Sequence, residues 1–164
     1  MSCHESNAPT TLRFALITVS DTRTKTTDTS GLHMANLITE NGHEITSQSI
    51  IPDEPTIIKE VIRAQSESAD VLCLSGGTGI SRRDQTYEAV SALLDRTMPG
   101  FGELFRMLSW QQVGSKAMLS RAIAGIYGSL VVFALPGSPK AVVLAMEKLI
   151  LPEARHIVSE LRKH

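Results

Sequence analysis

The chain has 164 residues and a formal charge of −1, from 16 basic and 17 acidic side chains. That length suits one domain, and that charge, with no block of like sign, excludes bulk electrostatic attraction to nucleic acid or to a membrane surface. Apolar residues make up 42% of the composition, yet no segment approaches the roughly 20 consecutive apolar residues of a membrane span.

Residues 1–11 (MSCHESNAPTT) lack the apolar stretch of a signal peptide and read as a disordered leader ahead of a single domain over 12–164. The protein is expected to be soluble and cytoplasmic. Cys3 falls in that leader and Cys73 in an apolar run, a tail thiol and a core thiol rather than a disulfide framework. Arg13 to Ser20 (RFALITVS) is apolar and partly β-branched, the pattern of a buried strand. The hydroxyl-rich stretch Asp21 to Ser30 reads as a loop able to cap a helix from about Gly31 to Glu40, which Asn41-Gly42 ends. A strand from about Glu44 to Ile51 leads into Pro52-Asp53-Glu54-Pro55. Pro55 suits the first turn of a helix carrying Ile57, Ile58, Val61 and Ile62 on one face.

Asp70 to Leu74 (DVLCL) is a third buried strand, followed at once by Ser75-Gly76-Gly77-Thr78-Gly79. This alternation predicts βαβ units and a largely parallel sheet. Gln85 to Gln112 is helical in pattern with a break at Pro99-Gly100. Ile123–Tyr127 and Leu130–Leu135 flank Gly128-Ser129, a hairpin signal. A long apolar helix follows from about Lys140, and Pro152 is expected to break or kink it.

Ligands of open α/β sheets bind beyond the carboxyl ends of the strands. Four chemically unusual segments fall there: Ser20–Ser30, Pro52–Pro55, Ser75–Asp84 and Leu135–Pro139. In the third, Gly76, Gly77 and Gly79 let backbone N–H groups approach an anion, Ser75 and Thr78 add hydroxyls, and Arg83 adds charge. The bland reading is a tight turn. The fourth could bind phosphate at a helix start capped by Ser138, or be an ordinary capped start. Asp53 and Asp84 suit Mg²⁺ beside phosphates, and equally suit caps of the helices they precede. Arg121 could grip a phosphate or be a solvated surface residue. The five histidines lack metal-ligand spacing.

The ordered set Thr18-Val19-Ser20-Asp21-Thr22-Arg23, Asp28-Thr29-Ser30-Gly31, Pro52-Asp53-Glu54, LSGGTGISRRD (74–84), Pro99-Gly100-Phe101-Gly102-Glu103, Leu119-Ser120-Arg121-Ala122 and Leu135-Pro136-Gly137-Ser138-Pro139-Lys140 resembles the MoaB/MogA family of molybdenum-cofactor biosynthesis proteins, over about residues 13 to 150. The resemblance implies an α/β fold: a three-layer α/β/α sandwich with a mostly parallel sheet and one antiparallel hairpin strand. It implies a homo-oligomer, trimer or hexamer, and Mg-ATP-dependent adenylylation of molybdopterin before molybdate insertion. Asp53 and Asp84 match the two aspartates the family implicates, and are the candidate Mg²⁺ ligands.

Ser20, Asp21, Ser75, Gly76, Gly77, Thr78, Gly79, Arg83, Ser120, Arg121, Pro136, Gly137 and Ser138 are the expected substrate- and nucleotide-binding positions, the loop among them matching the family's glycine-rich turn. Asp84-Gln85-Thr86-Tyr87-Glu88 departs from the Asp-Val-Thr-Pro-Glu of many members. The alternatives are a non-catalytic molybdopterin carrier or scaffold, and an unrelated nucleotide-binding module. Phe101 to Trp110 is core or subunit interface.

Overall fold

The computed structural model describes residues 8–163. Most of the expected leader, with Cys3, lies outside them. The chain runs β1 (Arg13–Val19), α1 (Thr29–Glu40), β2 (Glu44–Ile51), α2 (Pro55–Gln65), β3 (Val71–Ser75), α3 (Thr86–Leu93), β4 (Arg96–Thr97), α4 (Pro99–Val113), a 3₁₀ turn (Gly114–Leu119), β5 (Ile123–Tyr127), β6 (Leu130–Leu135), α5 (Pro139–Ala145), a π-turn (Met146–Ile150) and α6 (Leu151–Leu161).

The six strands form one sheet in the order β2-β1-β3-β6-β5-β4. β2, β1, β3 and β6 are parallel, while β5 is antiparallel to both β6 and β4. Five strands therefore share one direction and β5 alone opposes them, as expected of the hairpin. Alternation along the central strands divides the core. Phe14 and Leu16, Val71 and Cys73, and Val131 and Phe133 join a cluster with Met34 and Ile38 of α1, Phe101 and Phe105 of α4, and Val142 and Val158 of the C-terminal helices. Ala15 and Ile17, Leu72 and Leu74, and Val132 and Ala134 face Ile58 and Ile62 of α2 and Val90 of α3. The period-2 pleat thus builds three layers from strands apolar on both faces. Burial pushes the Cys73 thiol up to about 12, an inert core thiol.

Two local expectations need correction. The run from Gln85 to Gln112 is two helices separated by the two-residue β4, and Pro99 opens α4 in its first turn, where its missing N–H is no loss. The C-terminal helix continues through Pro152. Met146–Ile150 winds as a π-turn immediately before it, and Pro152 falls in the first turn of α6.

Asp70, 7% exposed at the start of β3, accepts from Arg13 N at 2.8 Å, Arg13 Nη2 at 3.0 Å and Arg162 Nη2 at 3.1 Å. Burial alone would raise its carboxyl; the Arg13 hydrogen bonds and the two guanidinium charges outweigh it and hold the carboxyl below its ordinary value. Asp70→Asn is expected to lower stability by about 1–3 kcal/mol at neutral pH. A depressed folded value contributes stability above the unfolded one and loses it as pH falls. The gap between wild type and variant in urea unfolding should therefore close from about pH 5 downward.

Candidate functional site

The winding of the sheet locates the site. From β1 the chain steps outward to β2 through α1 on one face, then returns through α2 on the other face to β3 on the far side of β1. The carboxyl ends of β1 and β3 bracket this reversal, where a doubly wound sheet leaves its crevice. The loops after β1 and β3 fill it, flanked by those after β2 and β6.

These four loops are joined by hydrogen bonds. Gly76 N donates to Leu135 O at 2.9 Å and Ser20 N to Ile51 O at 2.9 Å. Ser30 Oγ donates to Gly137 O at 2.7 Å, and Asp53 N to Asp21 Oδ1 at 3.2 Å. Asp28, buried, caps α1 through Gly31 N at 3.0 Å and accepts from Thr18 Oγ1 at 2.6 Å, so the loop after β1 is pinned at its far end.

Gly76 (φ +101) and Gly77 (φ +72) turn the chain at the end of β3. A Cβ on Gly76 would lie 2.2 Å from Val19 O, and one on Gly77 would lie 2.2 Å from Thr86 Oγ1. Side chains are excluded by both conformation and space. Among the described residues, the N–H groups of Gly77, Thr78 and Gly79 bond to no other protein group.

Two clefts open on this turn. One, of about 410 Å³, lies between the loop, the Pro136-Gly137-Ser138 bend, Ser120 and the C-terminal half of α4. The other, of about 500 Å³, holds Ser20, Asp21, Asp53 and Arg83. Gly77 and Asp84 line both.

The two aspartates do not cap the helices they precede. Asp53 Oδ1 accepts from Gln85 N at 3.1 Å, at the start of α3 rather than α2. Asp84 Oδ2 accepts from Ser81 N at 2.9 Å, closing the glycine loop on itself. Burial raises the Asp53 carboxyl above its ordinary value. The Gln85 N–H opposes this, and the charges of Asp84 and Asp21 add to the rise. Asp21 is held below the ordinary range, first by its bond from Arg83 and then by Asp53 N–H.

The other expected residues divide. Ser138 Oγ caps α5 through Ala141 N at 3.2 Å, and Ser20 Oγ accepts from Arg23 N at 3.0 Å. Ser75 is fully buried beneath the loop and lines neither cleft. Arg121 also lines neither. Its Nε and Nη2 donate to Gly79 O at 2.9 and 2.6 Å, it pairs with Glu88, and its guanidinium sits 5.1 Å from the Tyr87 ring centre. Its donors brace the loop. Lys116, Lys140, Phe105 and Gln112 line the first cleft and were not among the expected binding positions, Phe105 being expected in the core or a subunit interface. Lys140 directly follows the Pro-Gly-Ser-Pro bend, the one local signal for any of them.

Residues 15–156 match the family described as "Probable molybdopterin binding domain". This chain belongs to the MoaB/MogA family of molybdenum-cofactor biosynthesis proteins. Molybdenum cofactor biosynthesis protein B of Bacillus cereus is 52% identical over 163 residues, covering 98% of this chain and 96% of that protein. A crystal structure of a molybdenum cofactor biosynthesis protein B superposes with a TM-score of 0.92 at 52% identity, covering 96% of this chain and 99% of the other. The tungsten cofactor synthesizing protein MoaB from Pyrococcus furiosus gives 0.85 at 38% identity, covering 95% and 100%. The shared fold is the three-layer arrangement described above.

The glycine turn supplies a contrast between two family positions. Gly76→Ala is expected to cost on the order of 3 kcal/mol, from a left-handed backbone and a clash with the Val19 carbonyl. At Gly137 a Cβ would lie 3.3 Å from Gly76 Cα, a tight contact but with no left-handed backbone to strain, so Gly137→Ala should cost less than Gly76→Ala, on the order of 1 kcal/mol. Urea unfolding of both variants checks the difference.

Proposed function

We propose that this protein adenylylates molybdopterin with Mg-ATP, preparing it for metal insertion in the cytoplasm, and that residues 12–164 act as one molybdopterin-binding domain. The observation that carries the reading is the pair of clefts meeting at Gly77 and Asp84. Joining two phosphorylated molecules requires two adjacent pockets and one shared wall at the reacting phosphates. Each ligand takes one cleft. A terminal phosphate oxygen of molybdopterin attacks the α-phosphorus of ATP, the bond to the β-phosphate breaks, and pyrophosphate leaves. The attacking oxygen is already anionic at neutral pH, so no strong base is required. The N–H groups of Gly77, Thr78 and Gly79 are the donors for charge developing on the α-phosphate.

The donor set fits a magnesium ion that arrives with the nucleotide. Among the described residues no cluster of three or more His, Cys, Asp or Glu side chains is placed to hold a metal. Asp53 and Asp84 face one cleft, however, and the third acid, Asp21, is paired with Arg83. One or two carboxylates plus substrate phosphates is the usual Mg²⁺ environment. Burial makes the charge on Asp53 costly, so a cation there relieves it. When bound, Mg²⁺ supplies charge neutralisation on the phosphates. Lys116 and Lys140 supply positive charge to the other cleft.

Purified protein with molybdopterin and Mg-ATP should yield adenylylated product and pyrophosphate. Asp53→Ala and Asp84→Ala should each reduce that rate by on the order of 100-fold while keeping a native circular dichroism spectrum. Wild-type rates in both variants would overturn the assignment of the aspartates. Molybdopterin binding with no pyrophosphate release would identify a carrier instead.

The outer face of α4 supports a homo-oligomer. Leu104, Met107 and Trp110 lie three residues apart on the side of α4 away from the first cleft, and Trp110 is 63% exposed. An apolar stripe of this kind marks an interaction surface. Sedimentation at micromolar concentration should give a mass above that of the monomer.

A further inference from the structure

Thr86 is wholly buried, and its Oγ1 has no hydrogen-bond partner. An unpaired buried hydroxyl costs about 1–3 kcal/mol, so native structures seldom keep one without a use. Its backbone is engaged: Thr86 N donates to Gly77 O at 3.0 Å. The hydroxyl points at the hollow over the Gly77 Cα, where a Cβ would stand 2.2 Å from Oγ1.

The same hollow has a second wall. Asp53 Oδ2 lies 2.8 Å from that point, so the two oxygens are nearer to each other than those two distances combined. A water at that point would crowd Thr86 Oγ1, whose O–H···O contacts run at about 2.5–3.0 Å. A direct contact with Asp53 Oδ2, on the opposite wall of the hollow, is one way for the hydroxyl to be satisfied. Asp53 Oδ1 is already held by Gln85 N, one residue before Thr86. Oδ2 accepts from no group among the described residues. Asp53 is only partly buried at a turn and anchored through Oδ1 alone, whereas Thr86 is fixed in the first turn of α3.

We propose that Thr86 is a positioning residue for Asp53, its hydroxyl a reserved donor to Oδ2 that engages when a magnesium-bound nucleotide draws the carboxylate into the glycine turn. Both carboxylate oxygens would then be held by the start of α3, Oδ1 by a backbone N–H and Oδ2 by a hydroxyl. Gly77 is the partner condition, because any side chain there would fill the space through which the contact forms. The inference rests on the nucleotide reading given above.

The test uses Thr86→Val, nearly the same shape without the donor, and Thr86→Ser, which keeps it. Ligand-free Thr86→Val should unfold at the wild-type temperature or above, since it removes an unpaired polar group. In calorimetry with Mg²⁺ and a non-hydrolysable ATP analogue, it should bind about tenfold more weakly, while Thr86→Ser stays within about twofold of wild type. In an Asp53→Asn background the Thr86→Val effect should shrink to about twofold or less, the signature of action through Asp53.

A Thr86→Val protein that binds like wild type, or that weakens equally with and without Asp53, overturns the role while leaving the nucleotide reading standing. So does one whose melting temperature drops by several degrees, because the hydroxyl would then be structurally paired. A wild-type protein with no affinity for the analogue overturns the nucleotide reading, and this inference with it.

Discussion

The site depends on one close approach: the backbone of Gly76 set against the carbonyl of Val19 on one side and bonded to the carbonyl of Leu135 on the other. Only a residue without a Cβ, at φ +101, fits between those two strand ends. Because it fits, β1, β3 and β6 can stay in register to their last residues and the loop can fold over their tips. Gly77, Thr78 and Gly79, whose N–H groups bond to no other protein group among the described residues, then line the first cleft on a turn whose base is held from both sides. A glycine turn on a surface loop would have the same composition and no such preorganisation.

Charge around the turn is arranged with similar economy. Asp21, Asp53 and Asp84 line the second cleft, and Arg83 is the cation among them. Its pairing with Asp21 removes one acid and leaves Asp53 and Asp84 facing the shared wall. The charge on Asp53 is costly, since burial and its acidic neighbours both oppose ionisation. A site that holds carboxylates against their own repulsion favours a cation accompanied by phosphates over phosphates alone. In the other cleft the positive charge comes from Lys116 and Lys140, brought in by the 3₁₀ turn after α4 and by α5.

The loop is stiffened from outside. Arg121 spends its guanidinium on the Gly79 carbonyl, Glu88 and the Tyr87 ring, and its own N–H reaches Thr78 O at 3.1 Å. The connection into β5 is thereby strapped to the turn. An arginine beside a glycine-rich loop invites assignment to phosphate, and here the backbone carbonyls take its donors instead. The Tyr87 departure has a physical role here: its ring, together with the Glu88 carboxylate, holds this arginine in place. α4 closes the first cleft with its inner face, through Phe105 and Ser109, while its outer face leaves Trp110 and Met107 exposed.

Much of this was legible in the sequence because it is local. The apolar runs at 13–20, 70–74 and 130–135 read as strands from their period and β-branching. Pro55, Asn41-Gly42, Gly128-Ser129 and Ser138-Pro139 marked starts and stops through backbone chemistry that needs no partner far away. Placing the unusual residues at strand ends was enough to bring Asp53, the glycine turn and the Pro-Gly-Ser bend together. The π-turn ahead of Pro152 was not legible, because it answers to packing of the whole C-terminal helix. The two-residue β4 was not either, because a strand that short exists only by pairing with Ile126 and Gly125.

Tertiary structure alone decided what each side chain touches: that Asp53 accepts from Gln85 at the start of α3 and does not cap α2, that Arg121 braces rather than protrudes, that Lys116 enters a cleft, and that the Thr86 hydroxyl and Asp53 Oδ2 flank one hollow over Gly77. Periodicity and turn chemistry are written within a few residues. Such pairings depend on strand order and register, which join residues tens of positions apart.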